Sequence, residues 1–138
     1  MRTERIGEDK QELISVRVLS SGPEFNEIEY SYKAKGNLYG VDFDDLGTYI
    51  SLVRPDGSSS GEANGFIRTA DGEMLSYKVS GMSVSQGKGF ESKFKAVGFY
   101  ETNKPDGKLA KLCKSPIVLE NHSDEEGKSQ TIYYELME

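Results

Sequence analysis

Between Gly47 and Met74 the chain reads GTYISLVRPDGSSSGEANGFIRTADGEM, two strand-like runs set off by Pro-Asp-Gly and Ala-Asp-Gly. Glycine and aspartate accept the backbone angles of a tight reversal, and proline pre-sets the first corner, so the segment reads as consecutive antiparallel hairpins. A chain that doubles back this often is held to β-meander architectures, and the fold class follows from that.

The upstream segment agrees. Ile28, Tyr30, Tyr32, Ala34, Gly36 and Leu38 are apolar or small, while Glu27, Glu29, Ser31, Lys33, Lys35 and Asn37 are polar. Period-two alternation marks a strand with one buried face. The Gly36-Asn37 pair offers an alternative, a two-residue hairpin loop that would split the segment. With about 26–39 as one strand, further runs near 13–20, 46–54, 61–70, 73–84, 89–102, 115–122 and 129–137 bring the total to eight. An even number allows a barrel closed by antiparallel neighbours all round, and closure removes exposed edges. A ninth strand would not close in that way.

The expected fold is therefore all-β, an eight-stranded, mostly antiparallel up-and-down barrel. Its expected inward residues include Ile14, Val16 and Val18, then Leu75, Tyr77 and Val79, then Phe90, Phe94, Ala96 and Tyr100, and at the end Ile132, Tyr134 and Leu136. Small residues on these faces (Ala34, Gly36, Gly81, Ala96, Gly98) accommodate curvature and close packing, or leave room for a ligand, the first being favoured. Near residues 107–113, Leu109, Leu112 and Cys113 are spaced by three and four, which predicts a short helix over Lys108 to Cys113 that covers one barrel mouth.

Composition fits one domain over 1–138, with the first dozen residues the best candidate for disorder. Eight tyrosines, six phenylalanines and fifteen glycines suit strands and turns better than helices. The net charge of -6, with 17 basic residues dispersed among 23 acidic ones, argues against a nucleic-acid partner. The charged amino terminus lacks the apolar core of a secretory signal, and no run approaches membrane-spanning length. A soluble, cytoplasmic protein with no membrane partner is expected. Cys113 stands alone, which fits a reducing compartment and reads as an inert, partly buried thiol.

Chemistry is harder to find. His122 is the only histidine and precedes Asp124-Glu125-Glu126-Gly127, which reads as a polar hairpin loop in the absence of any second histidine or cysteine cluster. Asp42, Asp44 and Asp45 lack the glycine and distal glutamate of a calcium loop and read as a solvated turn. The glycine clusters at 61–65 and 87–89 lack the continuation of a phosphate loop, and Ser58, Ser59 and Ser60 lack a context for nucleophilic activation. No catalytic residue, metal site or cofactor is indicated. Arg54 and Glu62 face each other if the hairpin centres near Ser58, and Glu62, Asn64, Phe66 and Arg68 share a face. If that face is internal, the ligand-binding candidates are Arg54, Glu62 and Asn64 with the aromatic walls Tyr30, Tyr32, Tyr77, Tyr100 and Tyr134.

The elements GTY, RPDG, GE followed by a glycine-rich strand, T-x-DGEM, GKG, Lys108-Leu-Ala-Lys-Leu112 and the closing DEEG hairpin together resemble a family of small, largely uncharacterised archaeal and bacterial proteins. That family looks like a calycin-type, allene-oxide-cyclase-like β-barrel. The resemblance covers roughly Phe25 to Glu138 and implies the barrel; no cyclase motif carries over residue by residue, and fold analogy supplies no activity. Binding of a small apolar or amphipathic molecule is the leading expectation, because eight strands enclose one small ligand. A structural or protein-interaction module, including a homo-oligomer, is the alternative. An isomerase or cyclase working through a barrel pocket is the third.

Overall fold

The computed structural model describes residues 2–85 and 88–137. Eight strands, β1 (Arg2–Ser21), β2 (Asn26–Leu38), β3 (Val41–Val53), β4 (Ser58–Thr69), β5 (Met74–Ser85), β6 (Ser92–Thr102), β7 (Ile117–Ser123) and β8 (Lys128–Met137), form a closed barrel in sequence order. Every neighbouring pair is antiparallel, and β1 closes the barrel against β8. From Arg2 onward, the first dozen residues, the best candidate for disorder in the sequence, are thus part of the closing strand. Apart from Asp9, their charged side chains are exposed, and the backbone pairs with β8 from Arg2 and with β2 as well from Gly7, so a polar composition does not prevent order here. No helix among the described residues is long and apolar enough to cross a membrane.

The turn chemistry explains the register. Pro55-Asp56-Gly57, Ala70-Asp71-Gly72 and Glu125-Glu126-Gly127 close with one pattern: the glycine amide bonds back three residues, and the residue before the turn pairs with the one after it. All three glycines have φ near 90°, the left-handed position that a three-residue hairpin loop requires. Between β2 and β3 the loop is Tyr39-Gly40, with φ of 52° and 81°. Gly36-Asn37 stays inside β2, and the strand count is eight.

The two ends of the barrel differ. At one end Leu38, Ile67, Leu75 and Ile117 are fully buried, and the long β6–β7 connection folds across them. That connection contains the expected short helix in 3₁₀ form, Ala110–Lys114, and Leu109 and Leu112 at 0% exposure plug the barrel. Glu73, also at 0%, holds this plug by accepting hydrogen bonds from the Leu109 amide at 3.0 and 3.3 Å. Lys111 lies 3.8 Å from the centroid of the Tyr39 ring, tying the plug to the β2–β3 turn.

At the opposite end β1 outruns its partner. Pairing with β8 stops at Glu12↔Lys128, and β1 continues to Ser21 paired with β2 alone. Ile14, Val16 and Val18, expected inside, are exposed because the ribbon that carries them passes beyond the end of β8. Cys113 is exposed too, not partly buried, and its thiol is held above its ordinary value by desolvation and then by Glu73, which disfavours the thiolate.

Candidate functional site

The barrel interior is not filled. From mid-barrel to the mouth opposite the plug runs a cavity of about 290 Å³. Its walls near the mouth are aromatic: Tyr30 stacks on Tyr49 with centroids 6.2 Å apart, Phe90 meets Tyr30 edge-on, and Phe94 meets Tyr49 edge-on at 5.1 Å. Leu13, Ile28, Val53, Val79 and Leu119 complete the apolar lining. Between them Ser51, Ser59, Ser83, Ser123 and Ser129 contribute hydroxyls, with Ser59 and Ser83 bonded to each other. The Tyr49 hydroxyl is buried against this belt, and burial pushes it up to about 12 despite the opposing pull of Ser51 and Ser59.

The cavity ends on a cluster of tyrosines and carboxylates. Asp45 lies on the inward face of β3, between Ala34 of β2 and Ile67 of β4, and is only 6% exposed. Tyr77 donates to Asp45 Oδ1 at 2.7 Å, and the Tyr32 hydroxyl lies 2.6 Å from that of Tyr77, so Tyr32 donates into a chain that ends on the carboxylate. Glycine makes this chain possible. A Cβ at Gly47 would overlap the hydroxyls of both Tyr77 and Tyr32, and one at Gly65 would collide with Tyr77.

A second buried acid, Asp9 on β1, is 1% exposed. It accepts hydrogen bonds from the Tyr133 hydroxyl and, at 3.2 Å, from the Thr131 amide. The Thr131 hydroxyl in turn accepts from Gln11 at 3.0 Å and Asn121 at 2.8 Å.

Burial sets the protonation of these groups. Desolvation pushes Asp45 up to about 7, against the opposing pull of the Tyr77 hydrogen bond and with a further push from Asp9. Desolvation also pushes Asp9 up to about 6, opposed first by the Tyr133 hydrogen bond. Tyr32, Tyr77, Tyr100 and Tyr133 are all raised by burial and then by the nearby carboxylates, so they stay protonated and act as donors. The result is an apolar tunnel ending on hydroxyl donors and a carboxyl group that changes charge near neutral pH.

Of the expected site residues, Tyr30, Tyr32, Tyr77 and Tyr100 line this cavity. Tyr134 does not: it pairs with Val118 on the outer face of β8, and Tyr133 takes the inward place. Hydrophobicity selects the Ile132, Tyr134, Leu136 face, but the interior beside Asp9 is polar and takes Thr131 instead. Glu62 and Asn64 are exposed on the outer face of β4, because the cavity faces Ala63. The Arg54–Glu62 pair is absent. The hairpin centres on Asp56 rather than Ser58, so Glu62 stands opposite Ile50, and Arg54 donates to Ser60 at 2.8 Å. His122 is exposed on β7, and Asp124 caps the turn after it by accepting from the amides of Glu126 and Lys128.

Both carboxylates escape a sequence reading, which places Asp45 in a solvated turn and Asp9 in a disordered terminus. The available signal is phase: Asp45 alternates in step with Phe43, Gly47 and Tyr49, and Asp9 with Gln11 and Leu13.

Comparison with known proteins finds no matching family model and no matching curated protein. Solved structures do match. A protein of unknown function from Clostridium acetobutylicum aligns with a TM-score of 0.84 at 16% identity, over 99% of this chain and 100% of that one. A conserved protein of unknown function from Rhodopseudomonas palustris gives 0.82 at 13% identity, over 99% and 97%. A β-barrel-like protein from Acinetobacter baumannii gives 0.80 at 16% identity, over 96% and 94%. At these identities the likeness is one of fold, and this chain shares it with small bacterial barrels of unknown function.

Proposed function

We propose that the protein binds a small amphipathic molecule inside its barrel. The observation that carries this is the cavity: a mainly apolar space, open at one mouth, whose inner end presents Asp45 and the Tyr77 hydroxyl. At about 290 Å³ it is near the lower limit of ordinary ligand pockets, which suits a compact ligand rather than a long acyl chain. Eight-stranded barrels of this size hold one small ligand, and the closed antiparallel meander supports the resemblance to calycin-type, allene-oxide-cyclase-like barrels. A cytoplasmic setting accords with the lone Cys113.

The test is a broad thermal-shift screen of the native protein and of Ala63→Leu, whose added side chain occupies the cavity. A ligand that binds only the folded state raises the unfolding temperature by mass action. The expected result is one or more compact hits lost in a folded Ala63→Leu protein; a screen without hits, or hits that persist in that variant, would overturn the reading.

An enzymatic reading has one observation of its own. A carboxyl group titrating at about 7 beside a protonated tyrosine is matched to general acid–base work. Solvent-deuterium exchange into a bound carbonyl ligand, abolished in Asp45→Asn, would favour it over binding alone.

A further inference from the structure

Among the described residues, the cavity wall carries acids and no base. Among the residues that line it, Asp45 sits at the inner end and Glu12 and Glu91 nearer the mouth, while lysine, arginine and histidine are absent. The ion pairs among the described residues, Arg5–Glu8, Arg17–Glu29, Lys33–Glu12 and Lys35–Asp44, involve neither Asp45 nor Asp9. Both interior carboxylates are therefore desolvated without a cationic partner. Asp45 differs from Asp9 in facing the open space. Its Oδ1 is taken by Tyr77, and among the described residues no donor reaches its second oxygen.

A buried carboxylate that lacks a counter-ion favours whatever brings one. A metal ion is poorly served here, since it needs several ligands and no three of His, Cys, Asp and Glu cluster suitably among the described residues. A single ammonium group needs one carboxylate and a few hydroxyls, which is what this floor offers. Anions such as fatty or aromatic acids meet only like charge. The volume is about twice the roughly 150 Å³ that admits benzene, so the body of the ligand is about one ring with a short side chain.

We propose that the cavity selects compact organic amines, with the ammonium group against the second oxygen of Asp45 and the hydrocarbon body against Tyr49, Phe94 and Val79. The proposal rests on the pocket reading above and names its ligand class. It carries a pH signature. The groups around Asp45 are Asp9 on β1, Tyr32 on β2, Tyr77 on β5, Tyr100 on β6 and Tyr133 on β8; β4 and β7 present Ala63, Ile67 and Leu119, which do not titrate. The tyrosines hold their protons throughout the neutral range, and Asp45 gains its negative charge near 7. Amine affinity should therefore rise about tenfold between about pH 6 and pH 8, and alcohol affinity should stay flat.

Calorimetric titration with phenethylamine, phenethyl alcohol and phenylacetate tests this on the native protein and on Asp45→Asn, whose amide keeps an acceptor for Tyr77. At about pH 8 we expect phenethylamine to bind about tenfold or more tightly than the alcohol, and phenylacetate not to bind. Asp45→Asn, shown to be folded by its urea transition, should bind amine and alcohol equally. Equal binding of amine and alcohol by the native protein, a preference for phenylacetate, or an amine preference that survives in Asp45→Asn would each overturn the proposal. If none of the three binds while the broad screen yields a hit lost in Ala63→Leu, amine selectivity falls and the pocket stands. If neither experiment yields a ligand, both fall.

Discussion

Replacing Asp45 with asparagine should stabilise the protein at alkaline pH and leave it unchanged in acid. The carboxyl titrates at about 7 in the barrel against 3.8 when unperturbed, a difference of about three units, or about 4 kcal/mol at full value. Its sign follows from proton counting. Between about pH 4 and pH 7 the unfolded chain has released this proton and the folded chain keeps it, so stability falls as pH rises through that window. Above about 7 the folded protein carries a desolvated anion, and the whole deficit is present. Asparagine has nearly the same shape, offers Tyr77 an acceptor and never ionises. Allowing for water in the cavity, which screens the charge, Asp45→Asn should gain about 2 to 4 kcal/mol at pH 8 and less than about 0.5 kcal/mol at pH 4.5. Urea transitions of both proteins across that range, compared at equal slope, give the difference directly. A difference that does not change with pH, or an asparagine variant less stable at pH 8 than the native protein, would refute the assignment of Asp45 as a desolvated, unpaired acid.

Other perturbations probe the plug and the tyrosine chain. Leu112→Ala removes a side chain at 0% exposure and should cost about 2 to 5 kcal/mol by denaturant titration; a loss below about 1 kcal/mol would mean that the 3₁₀ segment does not seal the barrel. Glu73→Ala leaves the buried Leu109 amide without its acceptor and should cost about 1 to 3 kcal/mol, with faster hydrogen exchange at that amide than in the native protein. Gly47→Ala places a methyl group where the Tyr32 and Tyr77 hydroxyls meet, and should cost about 1 to 3 kcal/mol; an unchanged urea midpoint would show that the two rings have room to move apart.

Much of the architecture is legible in the chain itself. Turns closed by a left-handed glycine have few backbone solutions, so the hairpins at Asp56-Gly57, Asp71-Gly72 and Glu126-Gly127 follow from local sterics, and with them the antiparallel meander. Alternation in β2 and β5 is equally local, and it places Tyr30, Tyr32 and Tyr77 inside. The spacing of Leu109 and Leu112 marks a covering segment, although its tight 3₁₀ form was not specified.

What depends on closure was not legible. Whether a face is internal is settled by the neighbouring strands and by how far each one runs. Val16 and Val18 are exposed because β8 ends before them, and Tyr134 yields to Tyr133 because Asp9 makes the adjoining interior polar. Glu62 and Asp45 show the same limit in opposite directions. Each is an acid in a strand of alternating residues, yet one is solvated and the other is buried at the end of a cavity. Local sequence fixes a residue's phase along its strand, whereas the inside of a barrel exists only after β1 has met β8 across the whole chain. A carboxylate placed there is desolvated by residues distant in sequence, so its charge state belongs to the tertiary structure.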